Sequence, residues 1–184
     1  MVLASALGLL TIACGPPWQV IRQSVPNPLL GQRSFVIEGV HFESVIVGRK
    51  SEPEYLSGKD PQQIASWMSD KSALAGDYFA QLVAGAAGLQ VTGPGPGAQG
   101  FLVRTIATRM EPGVFAVFVN IPTEVALTVQ ILDPNAQVID EFVTQASEPA
   151  TLSNPSSGGR LRVVAARLGG YVARYLSTRV SATQ

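Results

Sequence analysis

The sequence predicts an α+β fold: a mostly antiparallel sheet of about five strands with two helices packed on one face, in the order β-α-β-β-β-β-α. Three observations predict it. Apolar residues recur every three or four positions from about Pro61 to Ala87, the mark of a helix with one buried face. Between Phe101 and Thr144 the period drops to two, over several runs separated by turn residues. A second helical repeat then occupies about Arg160 to Thr178. Strands grouped between two helices suit a layer of helices on an antiparallel sheet.

In chain order, residues 15 to 31 read as an irregular, partly stiff tether. Prolines at 16, 17, 26 and 28 each restrict the preceding residue as well as themselves, and Trp18, Val20 and Ile21 are available to pin it to the body. Phe35-Val36-Ile37-Glu38-Gly39-Val40-His41-Phe42, followed by Val45-Ile46-Val47, is the first strand signal, expected at or near the sheet centre. Its alternation fails at Gly39, which predicts a bulge or bend there. Without a bulge, His41 would face away from Glu38. Residues 48 to 59 are polar, with Pro53 and Gly58, and read as a surface loop.

Asp60-Pro61-Gln62-Gln63 is a helix start: Asp60 can cap, Pro61 fits the first turn, and Gln63 can reach back to complete a capping box. Ile64, Trp67, Met68, Lys71, Ala75, Tyr78, Phe79, Leu82, Val83 and Ala86 make the expected inner face, with Gly85 and Gly88 as terminators. Gly93-Pro94-Gly95-Pro96-Gly97 is a loop. Phe101 to Thr108 alternates; Glu111-Pro112-Gly113 turns the chain; Val114 to Ile121 is almost unbroken Val, Phe and Ala. A strand so continuously apolar implies cover on both faces or a partner. Val114, Phe115, Val117, Phe118 and Val119 are therefore the candidate interaction surface. Glu124 to Leu132 and Gln137 to Thr144 form a hairpin around Asp133-Pro134-Asn135-Ala136. Glu148 to Gly159 is a Pro-, Ser- and Gly-rich connector. The last helix buries Leu161, Val164, Leu168, Tyr171, Val172, Tyr175 and Leu176, with Arg162, Arg167, Arg174 and Arg179 outside or at the edges.

Composition narrows the function. With 13 basic and 13 acidic residues the formal charge is zero, so nucleic acid is not an expected partner. Apolar residues are 46% of the chain and charged ones 14%, which leaves apolar surface for burial or a partner. His41 is the one histidine, so no multi-histidine metal site can form; a strand imidazole hydrogen-bonded at the sheet fits better than a general base. Asp133 and Asp140 read as turn and surface residues. Trp67 with Tyr78 and Phe79 reads as core at helical spacing. No Gly-x-Ser-x-Gly elbow, paired-cysteine spacing or phosphate loop occurs. No catalytic residue, metal ligand or cofactor is therefore expected, and the chain is not read as an enzyme.

The N-terminus supplies an address. Residues 2 to 13 carry no charge and are too few for a membrane-spanning helix, which needs about 20; they suit the apolar core of a signal peptide. Leu9, Leu10 and Ala13 before Cys14, the only cysteine, resemble the lipobox of bacterial lipoproteins, although Thr11 stands where that motif usually has Leu and no Lys or Arg precedes the cysteine. The resemblance implies cleavage before Cys14 and acylation of its sulfur with palmitate. The other reading of Cys14 is a small buried hydrophobe. The expected domains are then a signal peptide at 1–13, a lipidated tether at 14–33 and one α+β domain at 34–179.

The hairpin Val129 to Asp140, the Gly-rich link and the helix carrying Ala165-Ala166-Arg167-Leu168-Gly169 resemble small periplasmic lipoproteins of uncharacterised families. These are similar in layout to the curli-secretion lipoprotein and to the N-terminal domain of the Tol-Pal protein TolB. The resemblance implies a non-enzymatic envelope component, and Gly15 after the cysteine implies sorting to the periplasmic face of the outer membrane. Two functional expectations follow. One is a membrane-anchored scaffold or adaptor acting through a protein partner or as a homo-oligomer. The other is a carrier of an apolar ligand or lipid, or an auxiliary subunit of an envelope transport system.

Overall fold

The computed structural model describes residues 15–116 and 119–181. Cys14, Val117 and Phe118 lie outside them. In chain order the elements are β1 (Trp18–Gln23), β2 (Ser34–His41), β3 (Ile46–Val47), β4 (Lys50–Ser51), α1 (Glu52–Leu56), α2 (Pro61–Gly85), β5 (Gln90–Thr92), β6 (Phe101–Glu111), β7 (Val114–Ala116), β8 (Val119–Ile121), β9 (Thr123–Leu132), β10 (Val138–Glu148) and α3 (Ser157–Ser181).

The fold is α+β, with more elements than expected. Eight strands form one open sheet in the order β1-β10-β9-β6-β2-β5, with β3 beside β6 and β4 beside β3; β7 and β8 form a separate two-stranded sheet. The sheet is mixed. The β6-β9, β9-β10 and β10-β1 pairs are antiparallel, whereas β2 runs parallel to both β5 and β6, and β3 parallel to β6. The reason is the crossover: α2 lies between β2 and β6, and a strand-helix-strand connection returns the chain in the same direction.

Local chemistry explains where elements begin. Asp60 caps α2 by accepting from Gln63 N at 2.8 Å, and Gln63 Oε1 accepts from Asp60 N at 3.3 Å, so the expected capping box is present. The bulge expected at Gly39 is present too: the β2-β6 register slips between Ile37 and Val40. At the β9-β10 turn, Asp133 Oδ1 accepts from Asn135 N and Gln137 N, both at 2.9 Å.

Three expectations are corrected and one is refined. Residues 18 to 23, read as tether, form β1 on the sheet edge: Trp18 pairs with Thr144 and its ring meets Tyr175 edge to face at 5.6 Å. The loop at 48–59 contains β4 and α1, the latter held to α2 where Glu52 accepts from Trp67 Nε1 at 2.5 Å and pairs with Lys71 at 2.7 Å. β2, expected at or near the sheet centre, lies one strand in from an edge, between β6 and the short β5. The apolar run at 114–121 is not one strand; Pro112-Gly113 and Pro122 break it from β6 and β9.

The core lies between one sheet face and the α2/α3 layer. Val103, Ala107, Leu127, Val129 and Phe142 from the strands meet Leu74, Tyr78, Leu82, Leu161, Leu168 and Leu176 from the helices, all buried. Of the expected inner face of α2, Met68 and Val83 are exposed and Leu74 replaces them; Tyr171 of α3 is half-buried. At the helix crossing, Gly169 sits against the backbone of Tyr78, and a Cβ on Gly85 would lie 3.0 Å from Ala173 Cβ. No helix among the described residues is long and apolar enough to cross a membrane.

Candidate functional site

The most distinctive surface is the β7-β8 hairpin. Val114 pairs with Ile121 and Ala116 with Val119 on one face, and Phe115 with Asn120 on the other. Val114, Phe115, Val119 and Ile121 are between 39% and 49% exposed, and neither strand packs substantially on another element. The structure thus places Val114 and Phe115 on β7 and Val119 on β8, brought together across one small ladder. Of the expected alternatives, cover on both faces or a partner, the described residues supply no cover.

What holds this hairpin is Arg160. It is 1% exposed, and among the described residues no carboxylate is bonded to it. Its guanidinium donates from Nε to Thr123 Oγ1 at 2.8 Å, from Nη2 to Pro112 O at 3.2 Å, and from Nη1 to Pro155 O at 2.5 Å and Asn154 O at 3.4 Å. Thr123 Oγ1 in turn donates to Pro112 O at 2.7 Å. Both legs of the hairpin, the 154–155 loop and the first turn of α3 therefore meet at one buried cation. Charge-assisted bonds in a fork geometry offset the several kcal/mol that desolvating a guanidinium costs. Gly113 allows the bend: its φ is 73°, and a Cβ there would lie 2.6 Å from Ile121 O. Asn120 Nδ2 also donates to Ala150 O at 2.9 Å, tying β8 to the loop after β10.

Sequence reasoning missed Arg160, and a signal existed. A cation in the first turn of a helix opposes the macrodipole, so an arginine at the start of α3 is placed there for another reason.

A second polar cluster fastens the entry of the chain. Asp140, read as a surface residue, is 0% exposed, and Arg179, read as lying outside or at the edge, is buried. Arg179 donates to Asp140 from Nε at 2.6 Å and Nη2 at 3.1 Å; Tyr175 OH donates to Asp140 Oδ2 at 2.9 Å, and Ser24 N to Oδ1 at 3.2 Å. Asn27 Nδ2 donates to Arg179 O at 2.8 Å. Burial, foremost, pushes the Tyr175 phenol well above its ordinary range. The stretch after β1 is thereby locked to β10 and α3.

His41 lies on the open sheet face. The β2 bulge turns it toward Glu38, so Nε2 lies 3.1 Å from Glu38 Oε2 and Nδ1 3.3 Å from Glu43 Oε1, against the alternation-based expectation. Arg104 Nε donates to Glu38 at 2.8 Å and, as the leading cause, holds that carboxyl below its ordinary range. The imidazole is thus a member of a surface charge cluster. Among the described residues no group of three or more His, Cys, Asp or Glu side chains could hold a metal ion.

No family model matches this chain, and neither does any curated protein. Solved structures do share its architecture. A DUF330 protein from Xanthomonas campestris is similar at TM-score 0.52, 8% identical, over 84% of this chain and 88% of that one. The common property is the fold. Overlaps of lower score include PelC from Paraburkholderia phytofirmans, a dodecamer, at TM-score 0.49 and 14% identity over 90% of this chain and 99% of that one. A minor lipoprotein from Acinetobacter baumannii overlaps at 0.48 and 14%, over 84% and 98%.

Proposed function

We propose that this chain is a lipid-anchored protein of the bacterial cell envelope, held through Cys14 at the periplasmic face of the outer membrane, and that it works by contact as a non-enzymatic scaffold or adaptor. The observation that carries the reading is the hairpin, which keeps four apolar side chains in solvent on a purpose-built buried clamp. Exposed apolar surface of this kind marks a site of contact with a membrane or a protein. For protein partners, a second copy included, β1 also presents the outer edge of the sheet, whose backbone groups can accept an added strand. Packing supports contact over carriage, because the space between α2, α3 and the sheet is filled by fully buried side chains. Likeness to the curli-secretion lipoprotein and TolB stays a reading of element order.

Chemical crosslinking in native envelope membranes tests the scaffold. A discrete crosslinked complex that weakens when the outer edge of β1 is blocked by Gln19→Pro is expected; a chain that stays monomeric at every crosslinker dose in its own membrane would contradict it.

A further inference from the structure

The connectivity brings several membrane-suited features to one end of the sheet. β6 ends there at Glu111, β9 begins there at Thr123 and β10 ends there at Glu148, since Glu111 pairs with Glu124 and Glu148 with Thr123. The β7-β8 hairpin continues from this end. The loop after β10 starts from it as well and carries Leu152, which is 90% exposed, on a turn closed by Asn154 N donating to Thr151 O at 3.1 Å. β3 runs parallel to β6 and pairs Val47 with Met110, so the β3-β4 turn with Arg49 and Lys50 is at this end too, and Ile46 beside it is exposed. Of the twelve large hydrophobic side chains exposed in the described residues, six (Ile46, Val114, Phe115, Val119, Ile121 and Leu152) are here.

The start of the chain points the same way. β1 runs antiparallel to β10 with Trp18 opposite Thr144, so residues before Trp18 head toward Glu148 and the hairpin end. Pro17 O is fixed there by Thr144 Oγ1 at 2.7 Å. Cys14 is four residues earlier, within about 14 Å of Trp18 along the chain. The β1 strand is three strand spacings from β6, about 14 Å. The hairpin, which links β6 to β9, therefore stands between the edge strand β1, by which the chain enters the sheet, and Arg49 and Lys50 beside β3. Neither cation is in an ion pair among the described residues; of the neighbouring carboxylates, Glu124 is engaged with Arg109 at 3.8 Å, Glu148 with Arg167 at 2.7 Å, Glu111 by Gly113 N at 3.1 Å, and Glu54, whose charge Lys50 also feels, by Ser51 N at 2.8 Å.

We infer that this end of the molecule lies on the bilayer, with Val114, Phe115, Val119, Ile121 and Leu152 seated at the acyl-headgroup boundary and Arg49 and Lys50 against anionic headgroups. The inference rests on the lipid-anchor reading, and names the lipid surface as what the hairpin touches. Apolar side chains rimmed by cations are the composition that interfacial contact requires. A second weak attachment also turns one acyl tether into a fixed orientation.

The test uses the full chain carrying Cys14→Ala, which cannot be acylated and has no other cysteine. A solvatochromic dye is placed at Val119→Cys or, as control, at Ser72→Cys on the far side of α2, and vesicles of phosphatidylethanolamine with a minority of phosphatidylglycerol are added. A blue shift with shallow-depth quenching at position 119 and none at 72 is expected. Phe115→Ser with Leu152→Ser should weaken vesicle partition about tenfold or more, and Arg49→Gln with Lys50→Gln about tenfold on anionic vesicles and not at all on neutral ones. Circular dichroism shows that each variant is folded. A dye at 119 that ignores vesicles, or that shifts only with protein concentration as a protein-protein contact would, overturns the assignment. That failure leaves the anchor standing; absence of acyl label on wild-type Cys14 removes the anchor and leaves the vesicle result.

Discussion

At the scale of single residues, the structure depends on two buried arginines that differ in kind. Arg160 is held by carbonyl dipoles and a hydroxyl, so Arg160→Ala takes the donor from Pro155 O, leaves Pro112 O with Thr123 Oγ1 alone, and opens a void. A loss of about 3 kcal/mol or more in urea unfolding is expected, and hydrogen exchange at β7 and β8 should speed up first. Arg179 has a full carboxylate partner in Asp140. Asp140→Ala leaves that cation buried and unpaired, at about 3–5 kcal/mol, and a double replacement by Asp140→Leu and Arg179→Met should cost less than the single one. Glu38 supplies a pH signature. Arg104 depresses its carboxyl pKa in the folded state, so the stability it adds is present above the ordinary value of 4.5 and is lost as pH falls through the lowered one. Melting temperature should therefore be higher for wild type than for Arg104→Gln above about pH 4.5 and converge with it in more acid solution. The gap will be small, because exposed pairs contribute roughly 1 kcal/mol or less.

At the scale of elements, what was legible in the sequence was what local chemistry specifies. The α2 start was legible because Asp60 and Gln63 are three residues apart and satisfy each other. The β2 bulge was legible because Gly39 interrupts a two-residue period. The remainder depended on partners far along the chain. β1 looks irregular between its prolines, and only β10, some hundred residues later, makes it a strand. The Asp140-Arg179 pair spans 39 positions, so neither residue announces its burial. Of the candidate surface, apolarity was legible in Val114 to Ile121, whereas the bonds that hold its two legs together, Arg160 to Pro112 O and to Thr123 Oγ1, reach across 48 and 37 positions. The α2-α3 contact shows the same dependence on distance. Gly169 lies against Tyr78 O and within 3.0 Å, by a notional Cβ, of Leu82 N, both rigid backbone. Gly169→Ala should force the helices apart and cost about 1–3 kcal/mol, readable as a fall in melting temperature with helical circular dichroism retained at low temperature.

At the scale of the whole molecule, the sheet acts as a ruler with two unlike ends. Chain direction places the entry from Cys14, the β7-β8 hairpin, the Leu152 turn and the Arg49-Lys50 turn at one end. The β9-β10 turn at Asp133 to Ala136 marks the other. A contact protein anchored at the first end would hold its open sheet face and helix layer upright for partners, whereas a body hung on a flexible leash would not. The central claim is that a lipid carried on Cys14 sets the location. Metabolic labelling with a palmitate analogue, comparing wild type with Cys14→Ala, addresses it most directly. Label on wild type alone, with the variant released to the soluble fraction by high salt, is the expected result. Equal labelling of both chains, or an unlabelled wild type that never sediments with membranes, would contradict the account.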